Sequence, residues 1–202
     1  MKDHILKSFS YIFHPLIMPL LGVLFYFSKT PRFIPDIIIK TKVFSIFILT
    51  IILPILIYYL LKTLKKIDSI HLETAHERIA PLTINLGIIV LIILRIFPSD
   101  EIIELYFFFV GVLCSTLACL LLAFLKVKAS IHMLGACGFF MFAVALSIHF
   151  KINVNGTIAL MMIILGAIAT SRLHLNAHNN AELVIGSFIG LFPQLLLLKF
   201  WL

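Results

Sequence analysis

The chain alternates long apolar runs with short polar breaks, and this pattern constrains the fold more than any single motif. Runs of about 17–25 apolar residues are long enough to cross a bilayer as helices, and seven follow one another at roughly 9–28, 43–62, 81–97, 103–126, 130–149, 155–171 and 181–201. These runs and their loops consume the whole length. The reading is therefore an all-α, polytopic transmembrane helical bundle of about seven spans. It forms a single membrane-embedded domain over residues 1–202 with no separate soluble domain. Composition agrees, with 62% of residues hydrophobic and 12% charged. The first run is long and lacks a small-residue cleavage pattern after it, so no cleavable signal peptide is expected.

The formal charge of +7 belongs to the span ends, where Lys and Arg favour anionic head groups and make membrane lipids the expected partners. A nucleic-acid partner is excluded, because the chain has no room for a broad basic face. Cys114, Cys119 and Cys137 fall inside expected spans and read as small packing residues rather than disulfides or metal ligands. Pro15, Pro19 and Pro54 predict kinks, and Pro81 suits the first turn of the third span. His14 could face a polar cavity, but a histidine near a span end more often reaches the interface, and that is the expectation here. Gly186 and Gly190, four apart, allow a neighbouring helix to approach closely.

Three polar stretches remain. The first, Lys62–Ala80, holds Lys65, Lys66, Asp68, His71, Glu73, His76, Glu77 and Arg78; the second is the hinge Lys126 to His132; the third is Ser171 to Glu182. Two spans separate each from the next, so all three fall on one side of the membrane, with the C-terminus on the other. Lys and Arg are balanced between the two faces once Arg78, Lys128 and Arg172 are set aside, so the positive-inside rule assigns no orientation.

Pooled, this face carries Arg78, Arg172 and Lys128, the histidines His71, His76, His132, His174 and His178, the carboxylate of Glu182 and the hydroxyls of Ser130 and Ser171. Guanidinium forks match a phosphate in geometry as well as charge. Two histidines flanking phosphorus suit in-line displacement, one attacking and the other protonating the leaving oxygen. Glu182, four residues after His178, can orient that ring. Asn179 three residues before Glu182 also fits a capping box, and both roles can coexist. The N-terminus of the last span, just after His178, would offer N–H donors to an anion.

Ser171-Arg172, then His178 after five residues, then an acid at Glu182, resembles the third signature of the type 2 phosphatidic acid phosphatase superfamily. Ser130-Ile131-His132 resembles the end of its second signature and Arg78 the arginine of its first, so the resemblance runs from about His71 to Glu182. It implies metal-independent dephosphorylation of an amphiphilic phosphate or diphosphate ester, with no cofactor. His178 would be the nucleophile, Glu182 its orienting acid and His132 the general acid. Arg172, Arg78, the Ser130 hydroxyl and the Ile131 N–H would hold the phosphoryl oxygens, with Lys128 and Ser171 nearby. It also implies a multi-pass protein of a bacterial cell membrane with an extracytoplasmic site.

The sequence departs from that pattern in places. His71 stands where the first signature has lysine, Ile79 where it has proline, and Ala129 and Ile131 replace the proline and glycine of the second. Glutamate for aspartate at position 182 lengthens the orienting arm by one methylene. Two other readings use the same residues. A metal-dependent intramembrane hydrolase would bind through His174 and His178 with Glu73, Glu77 or Glu182, although Arg172 would repel the cation. A non-catalytic transporter or lipid-binding bundle would hold an anionic head group with the same cations. Phosphatidic acid, phosphatidylglycerol phosphate, polyprenyl diphosphate and a phosphorylated glycolipid all fit the expected substrate.

Overall fold

The computed structural model describes residues 8–9, 12–64 and 74–202, and every regular element among them is helical. We number the helices α1 (Met18–Lys29), α2 (Asp36–Thr63), α3 (Ile79–Arg95), α4 (Ile103–Phe124), α5 (Ile131–Phe150), α6 (Asn155–His174) and α7 (Asn180–Leu197). A short 3₁₀ turn, His76–Arg78, leads into α3. All but α1 are long and apolar enough to cross a membrane when that turn is counted with α3, so six helices qualify among the described residues. Of the polar residues singled out in the sequence, Lys65, Lys66, Asp68, His71 and Glu73 lie outside the described ones.

The first expected span differs. Its run over 9–28 is interrupted by turns at Pro15, Leu16 and Ile17, and regular α-helix resumes only at Met18. Pro15 and Pro19 supply no N–H to the helix ladder, so helix can begin beside them but not run through both. Twelve residues make about 18 Å of helix, short of the roughly 30 Å hydrocarbon core. The segment nevertheless links both ends of the bundle: His14 packs on His132 at the start of α5, while Arg32 pairs with Glu104 at the start of α4.

Helix α2 starts at Asp36, seven residues before the expected span. Pro35 and an acidic first turn favour that start, and Lys42 is accommodated by the carboxylate of Glu101 and the carbonyl of Ile96. Mid-helix, Ile48–Ile52 widens into a π-helical turn just before Pro54, where the proline ring would clash with the preceding turn of a regular helix.

Two local problems are solved by the close pairing of α5, α4 and α7. A β-carbon on Gly186 would sit 2.5 Å from the carbonyl oxygen of Ser130, and one on Gly190 would lie closer still to that of Leu134. The two glycines therefore let α7 lie backbone to backbone on α5, as their spacing predicts. Pro193 inside α7 leaves the Ile189 carbonyl without its helical donor, and the Ser115 hydroxyl of α4 donates to that oxygen at 2.8 Å.

An aromatic core closes the bundle away from the polar loops: Phe97 stacks on Phe109, Phe108 on Phe142, and Trp201 packs beside Phe142. Below it Glu104, fully buried in the first turn of α4, meets Arg32 at 2.6 Å, His149 at 3.0 Å and the Tyr26 hydroxyl at 3.3 Å. A buried carboxylate is tolerable only when paired in this way. Cys119 and Cys137 are buried and Cys114 is exposed, all as free thiols.

Candidate functional site

The site is built from the start of α7 outward. Asn179 is extended, and its side-chain oxygen accepts the N–H of Glu182 at 2.9 Å, capping the helix. This holds Glu182 in the first turn, where a carboxylate faces the positive end of the helix dipole. The carboxylate turns to the ring of His178, with Oε2 2.6 Å from Nδ1. An ionised carboxylate only accepts, so this contact places the imidazole proton on Nδ1 and leaves the lone pair on Nε2. Burial lowers the His178 pKa below its ordinary value; the guanidinium groups of Arg78 and Arg172 push it the same way, against Glu182. The ring is thus a neutral imidazole at neutral pH, in the tautomer that exposes Nε2.

Arg78 ends the 3₁₀ turn ahead of α3 and is buried. Its Nη1 donates to the carbonyl of Ala129 at 2.8 Å, which ties this turn to the hinge before α5. That hinge is held from the other side as well: the Ser130 N–H donates to the Glu182 carbonyl at 3.0 Å. Ser130 caps α5, its hydroxyl oxygen facing the Met133 N–H at 3.5 Å. Ile131 and His132 follow in the first turn, and Arg172 sits in the last turn of α6.

Five of the candidate site residues, Arg78, Ile131, His132, Arg172 and His178, line one cavity of about 500 Å³. Glu182 stands behind His178 and does not line the cavity. Ser130 and Ser171 are fully buried and do not line it either. The Ser130 hydroxyl is therefore placed for capping rather than for a phosphoryl oxygen. Lys128 is half-buried and outside the cavity wall, since the hinge that presents Ile131 and His132 turns it elsewhere. His76 and His174 are exposed and also outside it. The first turn of α5 reaches the cavity through Ile131 and His132, as do those of α1 and α3, whereas the first-turn residues of α7, expected from the sequence to face an anion, stand outside the cavity wall.

His14 was expected at the interface, yet it lines the cavity with its ring edge-on to that of His132, centroids 5.5 Å apart. The Leu16 N–H approaches its Nδ1 at 3.3 Å. The sequence offered one signal for this placement, a histidine directly before a proline at a broken helix start.

Among the described residues, no three His, Cys, Asp or Glu side chains converge as a metal-ligand set. His174 is exposed, and His178 gives its Nδ1 to Glu182. No family model, no curated protein and no solved structure matches the chain.

Proposed function

We propose that this chain is an integral-membrane phosphatase that removes a phosphate from a lipid phosphate or diphosphate through a phosphohistidine intermediate. The observation that carries this reading is the 2.6 Å contact of Glu182 with His178, whose ring lies in the wall of a cavity shared with Arg78, Arg172 and His132. A neutral imidazole oriented by a carboxylate, with cations beside it, is a nucleophile poised for an electron-poor phosphorus.

In the first step Nε2 of His178 forms a bond to phosphorus while the bond to the lipid oxygen breaks, and His132 gives its proton to that leaving oxygen. The developing imidazolium is stabilised by Glu182. The non-bridging oxygens lie against Arg78 and Arg172, whose charge serves where other phosphatases use divalent ions. In the second step His132, now neutral, takes a proton from water. The resulting nucleophile breaks the phosphorus–nitrogen bond, releasing inorganic phosphate and restoring both histidines.

The test is phosphate release by purified protein from a panel of lipid phosphates in mixed micelles with chelator present. Release by the intact chain and none by His178→Ala supports the reading; a requirement for added metal argues against it. By the family resemblance the site faces outward from a bacterial cell membrane, which puts the C-terminus inside. A C-terminal green fluorescent protein fusion is then fluorescent, and a dark fusion would reverse the orientation.

A further inference from the structure

One titratable side chain in the cavity wall has no part in the steps described above. His14 comes from the segment ahead of α1, outside the six long apolar helices, and lines the same cavity as Arg78, His132, Arg172 and His178. Packing fixes its position. The turn from Pro15 to Met18 rests on α5 at Gly135, three residues and about one helical turn beyond His132. A β-carbon on Gly135 would lie 3.2 Å from the Met18 side chain and 3.6 Å from the Pro15 backbone, so the turn sits close against the helix. Met18 is buried there, in one apolar cluster with Met133, Ala136 and Phe139.

The backbone decides what the His14 ring can offer. The Leu16 N–H approaches Nδ1 at 3.3 Å, and an N–H only donates, so Nδ1 carries the lone pair and the proton of the neutral ring sits on Nε2. Burial, and after it the Arg172 guanidinium, lowers the His14 pKa below its ordinary 6.5, which keeps the ring neutral at neutral pH. Nε2 makes no hydrogen bond to any described residue. The two rings are therefore opposite tautomers on one cavity: His178 keeps a lone pair on Nε2, and His14 keeps a proton there. One can attack phosphorus. The other cannot accept a proton at Nε2 but can donate a hydrogen bond from it. Its edge-on contact with His132, 5.5 Å between centroids, puts the ring beside the residue assigned to the leaving oxygen. The Leu16 contact alone would make His14 a turn cap, a part that asparagine plays equally well. A cap uses only the acceptor.

We propose that His14 is a further substrate-binding residue, a neutral donor whose Nε2–H holds a phosphoryl oxygen on the His132 side of the cavity. Donors fixed in place beforehand stabilise charge developing on such an oxygen without having to reorganise. This rests on the phosphate site described above and gives that site a donor from outside the six long helices.

The test measures orthovanadate binding to the purified full chain in detergent micelles by titration calorimetry, which needs no turnover. His14→Asn separates the two roles: its side-chain oxygen can accept the Leu16 N–H and keep the turn, but its amide is too short to donate from the place of Nε2. The proposal expects His14→Asn to bind vanadate about 10-fold or more weakly, with an unchanged unfolding midpoint. His14→Gln, whose longer amide can present an N–H where Nε2 stood, recovers part of the loss. Undiminished binding in His14→Asn, or His14→Gln no better than His14→Asn, overturns the proposal. A second measurement needs no substitution. Nitrogen NMR of the intact chain with labelled histidines shows a ring with protonated Nε2 and bare Nδ1 whose Nε2 signal moves on adding vanadate, and no such movement overturns the proposal. Phosphate release from lipid phosphates is read in parallel. Vanadate binding that depends on His14, without release, would sink the phosphatase reading and leave this one standing; no vanadate binding by the intact chain overturns both.

Discussion

The backbone N–H of Ser130 donates to the carbonyl of Glu182 at 3.0 Å, so the residue that orients the His178 ring also anchors the hinge that presents His132. His178 lies in the loop before α7 and His132 in the first turn of α5, yet Glu182 contacts both segments. Gly186, one turn beyond Glu182, admits the Ser130 carbonyl at a distance no side chain would allow. The relative position of the two histidines is thereby built into the α5–α7 contact.

Replacing Glu182 with Gln keeps that backbone contact but removes the carboxylate. Turnover falls by roughly 10²–10⁴-fold, the scale seen when a histidine loses its orienting acid, while thermal stability changes little. The pH profile is a second readout. Burial and two guanidinium groups hold the folded His178 pKa below its ordinary 6.5. The acid limb of kcat/KM in the intact chain therefore lies below that value, and activity persists at mildly acidic pH. Linkage gives the sign for stability. The unfolded chain takes up the proton first, so the His178 contribution is present above about 6.5 and is lost as pH falls through the folded pKa. An acid limb above pH 7 would contradict this assignment.

His132 and His174 are separated by the same geometry. His132→Ala loses most activity on alkyl phosphates, whose leaving oxygen needs a proton, and is partly spared on an activated aryl phosphate. His174→Ala, outside the cavity, stays within about threefold of the intact chain on both. Rates on the two substrates decide it. Equal losses in His132→Ala would make that residue a phosphate binder rather than a proton donor.

Arg172→Lys keeps the charge and loses the two-pronged grip of the guanidinium. Phosphate release drops by about 10²-fold or more, an interaction lost in the transition state rather than in binding alone. Chelator leaves the intact chain active, and vanadate inhibits it by occupying the same cradle. Tolerance of Arg172→Lys together with zinc rescue after chelation would favour the metal-hydrolase alternative.

Gly190→Val tests the fold that carries the site. Its β-carbon would collide with the Leu134 backbone, which cannot move aside as a flexible side chain could. Overpacking of this kind costs about 1–3 kcal/mol or more, seen as a lower unfolding midpoint in detergent. Gly166→Val on α6, where a β-carbon meets open space, is the control and shifts the midpoint little.

Much of this organisation is legible in the chain itself. Apolar run length locates α2 to α7 because a helix in lipid satisfies its own backbone, and parity of crossings puts Arg78, His132, Arg172 and His178 at one end. The rest depends on three-dimensional detail that spacing does not carry. Whether Ser130 and Lys128 face a cavity is decided by a cap and a hinge angle, and His14 reaches His132 only because Pro15 interrupts the first run. The burial of Glu104 and the donation of Ser115 to Ile189 are long-range pairings for which no local pattern exists.

The central claim is the covalent role of His178, and acid-labile, alkali-stable label on the protein tests it most directly. Intact chain and His178→Ala are mixed with phosphatidic acid carrying radioactive phosphate, with chelator present, and quenched in alkali. The account predicts label on the intact chain, located by peptide mapping to His178, and neither label nor phosphate release from His178→Ala. Phosphate release by a folded His178→Ala chain at even a tenth of the intact rate would contradict it.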